Sequence, residues 1–191
     1  MRIFEKVGEL NAHSDEYLLE LAVAGDTASF GELLRRWEGR VYRFIRRYVG
    51  NREDARDLTQ ETFSKAFLNV SRLSDPARFS TWLYKIALNE CRMRFRREKR
   101  AAIVWVDEPT VESLEGIQEV PTPETVYSQG EVTERVRSAF FQLPEEQRVV
   151  ILMKEYQGLK FHQIAEILDL PLSTVKSRMY LGLKTMKKLM E

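Results

Sequence analysis

Cysteine is nearly missing from this chain, and with Cys91 alone no internal disulfide can form. Two histidines, His13 and His162, added to that one thiol are too few for a Cys/His zinc site, which leaves only carboxylates as metal ligands. Long apolar runs are also missing. The opening MRIFEKVGEL lacks the apolar core and cleavage site of a secretory signal, so the expected location is the cytoplasm, with no membrane insertion of its own. There is no GxxxxGK phosphate loop, no Gly-rich dinucleotide turn, no internal repeat and no low-complexity tract. No cofactor and no metal is expected. What remains is ordinary in bulk: 43% hydrophobic and 31% charged residues over 191 positions, enough for one globular domain or two small ones.

The net charge of +1 conceals a strong division along the chain. Lys85 to Arg100 holds seven basic residues against two acidic, and Ser173 to Met190 holds five basic and none acidic. Between them, Ala101 to Glu134 carries eight acidic residues and no lysine or arginine.

Apolar residues recur every three to four positions from Ser14 to Arg100, which predicts helices throughout, and no strand signal competes. Gly25 ends a first short helix; Asp26 or Thr27 caps a second that Gly50 ends; Asn51 caps a third. SRLSDPARFS reads as a loop, after which Ser80 opens a fourth helix. The stretch from Val106 to about Tyr127 is acidic, contains Pro109, Pro121 and Pro123, and has no sustained period, so it reads as an extended linker. Helical pattern then resumes: LPEEQRVVILMKEYQGL, with Pro144 at its start and Gly158 at its end, FHQIAEIL, a tight DLPL turn, and a final helix capped by Ser173. The expected fold is all-α, in two small helical domains: a four-helix domain over 1–100, an acidic linker over 101–130, and a helix-turn-helix domain over 131–191.

On the final helix, Val175, Met179, Leu183, Met186 and Met190 project to one side, and Lys176, Tyr180, Lys184, Lys187 and Lys188 to another. A basic stripe also suits a solvated surface helix. The short helix and turn before it, with Ala165 where two helices must approach, tip the reading toward DNA. Lys176, Ser177 and Arg178 then stand where base edges are reached in a major groove, and the later lysines where phosphates lie.

The fourth helix differs. Leu83, Ile86, Ala87 and Cys91 share one side, while Trp82, Lys85, Asn89, Arg92 and Arg96 share the opposite one. Cations, an amide and an indole on one face suit single-stranded nucleic acid, whose unstacked bases offer surfaces that a duplex hides. For Trp82 and its neighbour Tyr84, ordinary core packing is the competing explanation. Cys91 reads as a small buried apolar residue.

FSTWLYKIALNECRMRFRR, preceded by NREDARDLTQETFSKAF and followed by LPEEQRVVILMKEYQGLKFHQIAEILDLPLSTVKSRM, resembles the extracytoplasmic-function sigma factors, in both domains and in order, from about Asp15 to Leu189. The resemblance implies a first domain that docks on the clamp helices of core RNA polymerase and captures the melted minus-ten strand. Trp82, Tyr84, Lys85, Asn89, Arg92 and Arg96 would hold that strand, and Asp57, Gln60, Glu61 and Ser64 would face the polymerase. The second domain would contact the polymerase flap and read the minus-thirty-five duplex through Ser173, Thr174, Lys176, Ser177, Arg178, Tyr180 and Lys184. The acidic linker would thread toward the transcript's path, and an anti-sigma protein would be a further partner. One departure stands out: Leu181 and Leu183 occupy positions where family members often carry basic residues.

Two readings compete. A free-standing helix-turn-helix regulator would bind duplex operators without polymerase, usually as a dimer, yet no dimerising heptad stretch is evident. A metal-assisted nuclease at Asp54, Asp57 and Glu61 would need a nucleophile or second carboxylate cluster that the sequence does not supply. The expectation is therefore a protein that acts by binding, not an enzyme.

Overall fold

The computed structural model describes residues 13–73, 75–104 and 129–191, with the side chains of 98–104 and 129–134 left aside. Every regular element among the described residues is helical. The chain divides between Thr110 and Val111 into two units.

The first unit contains α1 (Asp15–Val23), α2 (Thr27–Val49), α3 (Arg52–Asn69) and α4 (Phe79–Val104), with single 3-10 turns at Val70–Arg72 and Pro76–Arg78 between α3 and α4. Local chemistry sets the boundaries. Ser14 Oγ accepts from the Tyr17 amide at 3.2 Å to start α1. At its end Gly25 takes φ of 100°, and the Gly25 and Asp26 amides donate to Ala22 and Leu21 carbonyls, closing a Schellman motif. Gly50, at φ 80°, ends α2, and Asn51 Oδ1 caps α3 by accepting from the Glu53 amide at 2.8 Å. The SRLSDPARFS segment is more ordered than a plain loop, because Asp75 accepts from the Ala77 amide and Pro76 presets the turn that feeds α4. The backbone of α4 continues past the expected end at Arg100 to Val104, since Arg100, Ala101 and Ala102 are good helix formers.

Three interfaces hold these helices together. Between α2 and α4 runs an aromatic seam: Trp37 meets Phe79 and Tyr84 edge-on at centroid distances of 5.7 and 6.3 Å, Phe44 meets Tyr84 at 5.3 Å, and Tyr48 meets Phe95 at 6.0 Å. Such pairs contribute about 0.5–1.5 kcal/mol each beyond the area they bury. Between α3 and α4 run two ion pairs, Lys65 with the buried Glu90 and Arg94 with Asp54, both at 2.5 Å, and each helix buries apolar side chains, Leu58 and Phe63 on α3 and Leu83 and Ala87 on α4. Burial pushes the Cys91 thiol up to about 12, so it is inert packing. Between α1 and α2, Asp15 accepts from Arg36 and from Trp37 Nε1, each at 2.8 Å, while the buried Glu32 accepts from Arg35 and Arg36.

The second unit contains α5 (Gln129–Gln142), α6 (Glu145–Ile151), α7 (Phe161–Leu168) and α8 (Leu172–Met190); α6 runs on through a wider π turn at Leu152–Tyr156. That turn ends at Gly158, φ 67°, where the Leu159 amide reaches back to the Met153 carbonyl at 3.1 Å. Leu152, Met153, Ile164 and Val175 are wholly buried at the centre. Asp169 takes the left-handed position after α7, with the Leu170 amide donating to the Ala165 carbonyl, and so turns the chain into α8.

Two expectations about α8 are corrected. Ser173 is not its cap: Pro171 precedes a helix that opens at Leu172, so Ser173 lies exposed in the first turn. The inward stripe is Val175, Met179 and Gly182; Leu183 is 43% exposed. The cause is a close approach of α6. A methyl group built on Gly182 would lie 2.7 Å from Ile151 Cδ1 and 3.2 Å from Gln147 Cβ, so any side chain there must displace the Ile151 side chain and press on α6. Ala165, expected at a close approach, is only half-buried.

Two outcomes follow from this packing. Gly182→Leu forces α8 off α6 and costs about 1–3 kcal/mol; hydrogen exchange of the full chain will show faster opening at α6 and α8 amides with α2–α4 unaffected. The side-chain hydrogen bond from Arg35, with that from Arg36 and the charge of both, holds the Glu32 carboxyl at about 2, below its ordinary 4.5, against the opposing effect of burial. A carboxyl lowered on folding stabilises the native state fully above about pH 4.5 and loses that contribution as pH falls toward 2. Urea midpoints measured across that window will drop for the parent and stay flatter for Glu32→Gln.

Candidate nucleic-acid interfaces

The exposed side of α4 brings together most of the residues expected there. Lys85, Asn89 and Arg96 are exposed, and Arg92 and Trp82 are half-buried beside them. The Trp82 ring leans on Phe79 at 6.0 Å, which fixes its plane while leaving part of it in solvent. Arg96 Nε donates to the backbone carbonyl of Arg92, one turn earlier, which holds the Arg96 side chain along α4. Tyr84 does not belong to this face. It is 2% exposed, wedged between Trp37 and Phe44, and its phenol is pushed up to about 12 chiefly by burial, so it is a core residue. The reason is rotational: α4 turns the side that carries Tyr84, Leu88 and Cys91 into the seam with α2, and Trp82 falls outside it. Ile86, expected inside, is half-exposed for the same reason.

On α3, Asp57, Gln60, Glu61 and Ser64 are all exposed, opposite the buried Ala55, Leu58, Thr62 and Phe63. Gln60 and Ser64 line a groove of about 600 Å³ between α2 and α3, with Phe30, Leu34, Tyr42 and Phe67 as its apolar wall. The wall was not singled out from sequence, since apolar spacing does not tell a groove wall from a closed core. Phe67 is in fact 46% exposed, held edge-on to Phe30 at 5.2 Å, and Leu68 next to it is 75% exposed. The carboxylate set of the nuclease reading does not assemble: Asp54 turns to Arg94 of α4, and among the described residues no three Asp, Glu, His or Cys side chains converge as metal ligands.

The α8 surface presents Ser173, Lys176, Ser177, Tyr180 and Lys184 to solvent, with Thr174 and Arg178 half-buried. Tyr180, at 67% exposure, is the most open of the large hydrophobic side chains on α8. Arg178 is turned sideways, its guanidinium donating to Glu146 at the start of α6 at 2.8 Å. Leu181 is 51% exposed, so neither leucine at the positions of departure packs inward. At the far end, Arg135 of α5 donates to the Met190 carbonyl, satisfying an open carbonyl in the last turn.

The chain matches the family model for Sigma-70 region 2 over residues 33–101 and that for Sigma-70, region 4 over residues 133–186. It is 32% identical to the ECF RNA polymerase sigma-E factor of Haemophilus influenzae over 87% of its own length and 90% of that protein's. It is 27% identical to the RNA polymerase sigma-H factor of Pseudomonas aeruginosa over 95% and 96%. Among solved structures it is similar to CnrH in complex with the cytosolic domain of CnrY, with a TM-score of 0.66 and 25% identity over 92% of this chain and 96% of that one. The sigma factor RpoE of Bartonella quintana, solved with the anti-sigma factor NepR, shares the fold with a TM-score of 0.70 at 21% identity, over 84% and 95%. With both region models matched in order and relatives aligned along nearly their whole length, the chain belongs to the extracytoplasmic-function sigma factors, the subunits that direct bacterial RNA polymerase to its promoters.

Proposed function

We propose that the two units divide promoter recognition by the physical state of the DNA: α4 holds the unpaired minus-ten strand, and α8 reads the paired minus-thirty-five element. The observation that carries this reading is the composition of the α4 surface. Lys85, Arg92 and Arg96 supply cations, Asn89 supplies an amide for a base edge, and Trp82 keeps part of an indole open to stack on a base. The half-open indole is the discriminating feature: it has nothing to stack on in a closed duplex, in which base faces are hidden. Capture of an extruded base costs a few kcal/mol of unstacking, so contacts that exist only after melting must offset it.

Polymerase docking is assigned to α3 and the adjoining groove. Asp57, Gln60, Glu61 and Ser64 supply a polar rim, and Phe30, Leu34, Tyr42 and Phe67 an apolar floor, a combination that suits an amphipathic helix of the clamp. The second unit would meet the flap of the large subunit. The protein acts by binding and not by catalysis, and the free-standing regulator is not favoured. An anti-sigma partner is part of the same reading, since CnrH was solved with the cytosolic domain of CnrY.

On α8, Lys176 and Ser177 are the base-edge candidates, with Ser173, Thr174 and Tyr180 beside them and Lys184 at phosphate. Arg178, tied to Glu146, is better placed to steady α8 against α6 or to meet backbone than to enter the groove. The exposed Leu181 leaves the second half of the helix short of a phosphate contact.

Two measurements test these assignments. In open-complex assays, Asn89→Ala lowers the opening rate about tenfold, the worth of one base contact, while affinity for core polymerase stays within twofold; Asp57→Lys does the reverse. Equal loss of core affinity in both variants, with opening untouched, would sink the assignment of faces. For the minus-thirty-five duplex, Leu181→Arg steepens the dependence of log K on log salt by about 0.9, one added phosphate contact, and an unchanged slope places Leu181 away from the DNA.

A further inference from the structure

The basic surface of the first unit does not stop at α4. Helix α2 carries Arg40, Arg43 and Arg47 at spacings of three and four residues, which sets them in one stripe, and all three are exposed. Packing shows which way the stripe faces. The Arg40 guanidinium sits 5.0 Å over the ring of Trp37, and Trp37 packs against Phe79 and Tyr84 of α4. Arg40 and Arg43 both act electrostatically on the Tyr84 phenol, opposing the larger effect of its burial. The other flank of α2, with Leu34, Glu38 and Tyr42, lines the groove with α3.

On α4, Tyr84, Leu88 and Phe95 face α2, and Lys85, Arg92 and Arg96 follow next around the helix on the solvent side of the seam. Cations of two helices therefore border one aromatic seam. The described carboxylates of both helices are occupied elsewhere: Glu38 lines the α3 groove, Glu32 is buried against Arg35 and Arg36, and Glu90 is paired with Lys65 of α3. Asp15, at one end of the seam, is neutralised by Arg36 and hydrogen-bonded by Trp37.

We infer that Arg40 and Arg43, with Arg47 beyond them, form a second wall of the single-strand site and take phosphates of the non-template strand whose bases α4 holds. The inference rests on the reading of α4 given above and extends it to a helix that no motif marked. A single backbone follows one groove, and here the two cationic rows lie either side of one seam, with Trp82 leaning on Phe79 at its edge.

The experiment uses holoenzyme assembled from core polymerase and the full chain, bound to a forked promoter fragment whose non-template strand is unpaired through the minus-ten element, at several salt concentrations. The double variant Arg40→Ala/Arg43→Ala is expected to flatten the slope of log K against log salt by about 1.4, two single-strand phosphate contacts. Arg40→Lys/Arg43→Lys is expected to keep the slope, which separates lost charge from lost packing on Trp37. Arg72→Ala removes an exposed cation elsewhere on the unit and is expected to change nothing. An unchanged slope in the alanine variant overturns the proposal, as does an equal loss on a closed duplex carrying only the minus-thirty-five element. If Asn89→Ala leaves opening intact while the arginine variant flattens the slope, base reading by α4 fails and the phosphate wall stands; the opposite pair of results sinks the wall alone.

Discussion

The aromatic seam between α2 and α4 is the contact on which the first unit depends. Trp37, Phe44 and Tyr48 on one helix meet Phe79, Tyr84 and Phe95 on the other, largely edge to face, and the seam fixes the rotation of α4 about its axis. That rotation decides which residues reach solvent. With Tyr84 locked inward, Lys85, Asn89 and Arg96 are turned outward and Trp82 is left half covered, at the margin. The ion pairs on the opposite flank, Lys65 with Glu90 and Arg94 with Asp54, complete the restraint by tying α4 to α3. The helix proposed to hold the strand and the helix proposed to dock on polymerase are thus one rigid assembly, so docking also aims the strand site.

The second unit solves a different problem with a different device. Its last helix, α8, is seated by the buried Val175, Met179 and Gly182, the last directly against α6, and is joined to α7 by the Asp169 turn. The pair between Arg178 and Glu146 adds a polar tie near the helix start, where the α6 dipole also favours a carboxylate. Surface pairs of this kind contribute little to stability, on the order of 0–1 kcal/mol, so its value lies in orientation.

Much of this was legible in the sequence, because helices announce themselves through period and end signals. Gly25, Gly50, Asn51 and Gly158 mark their boundaries in the structure as they do in the sequence. Faces were harder than helices. Tyr84 stands about 200° round α4 from Trp82 and on the side of Cys91, so helix geometry already separates it from the exposed face, and the ring partners on α2, distant in sequence, show where it packs. Leu183 looked buried by spacing from Val175 and Met179, and the stripe instead passes through Gly182, whose missing side chain contributes nothing to an apolar pattern. The groove between α2 and α3 was invisible for a related reason: a partly open phenylalanine such as Phe67 reads the same as a closed one. Of the acidic linker expected at 101–130, residues 101–104 and 129–130 belong to the backbone of α4 and α5, and 105–128, with any path they take, lie outside the described residues.

Gly182 carries an implication for how such a protein changes its target over generations. The side chains of Ile151 and Gln147 lie directly against the backbone of α8 at Gly182, so a change of bulk at either α6 position alters the seat of the helix without touching its outward face. Under the reading proposed for α8, promoter preference then has two independent routes of change, the outward residues Lys176, Ser177 and Tyr180 and the α6 side chains that set the angle of the helix.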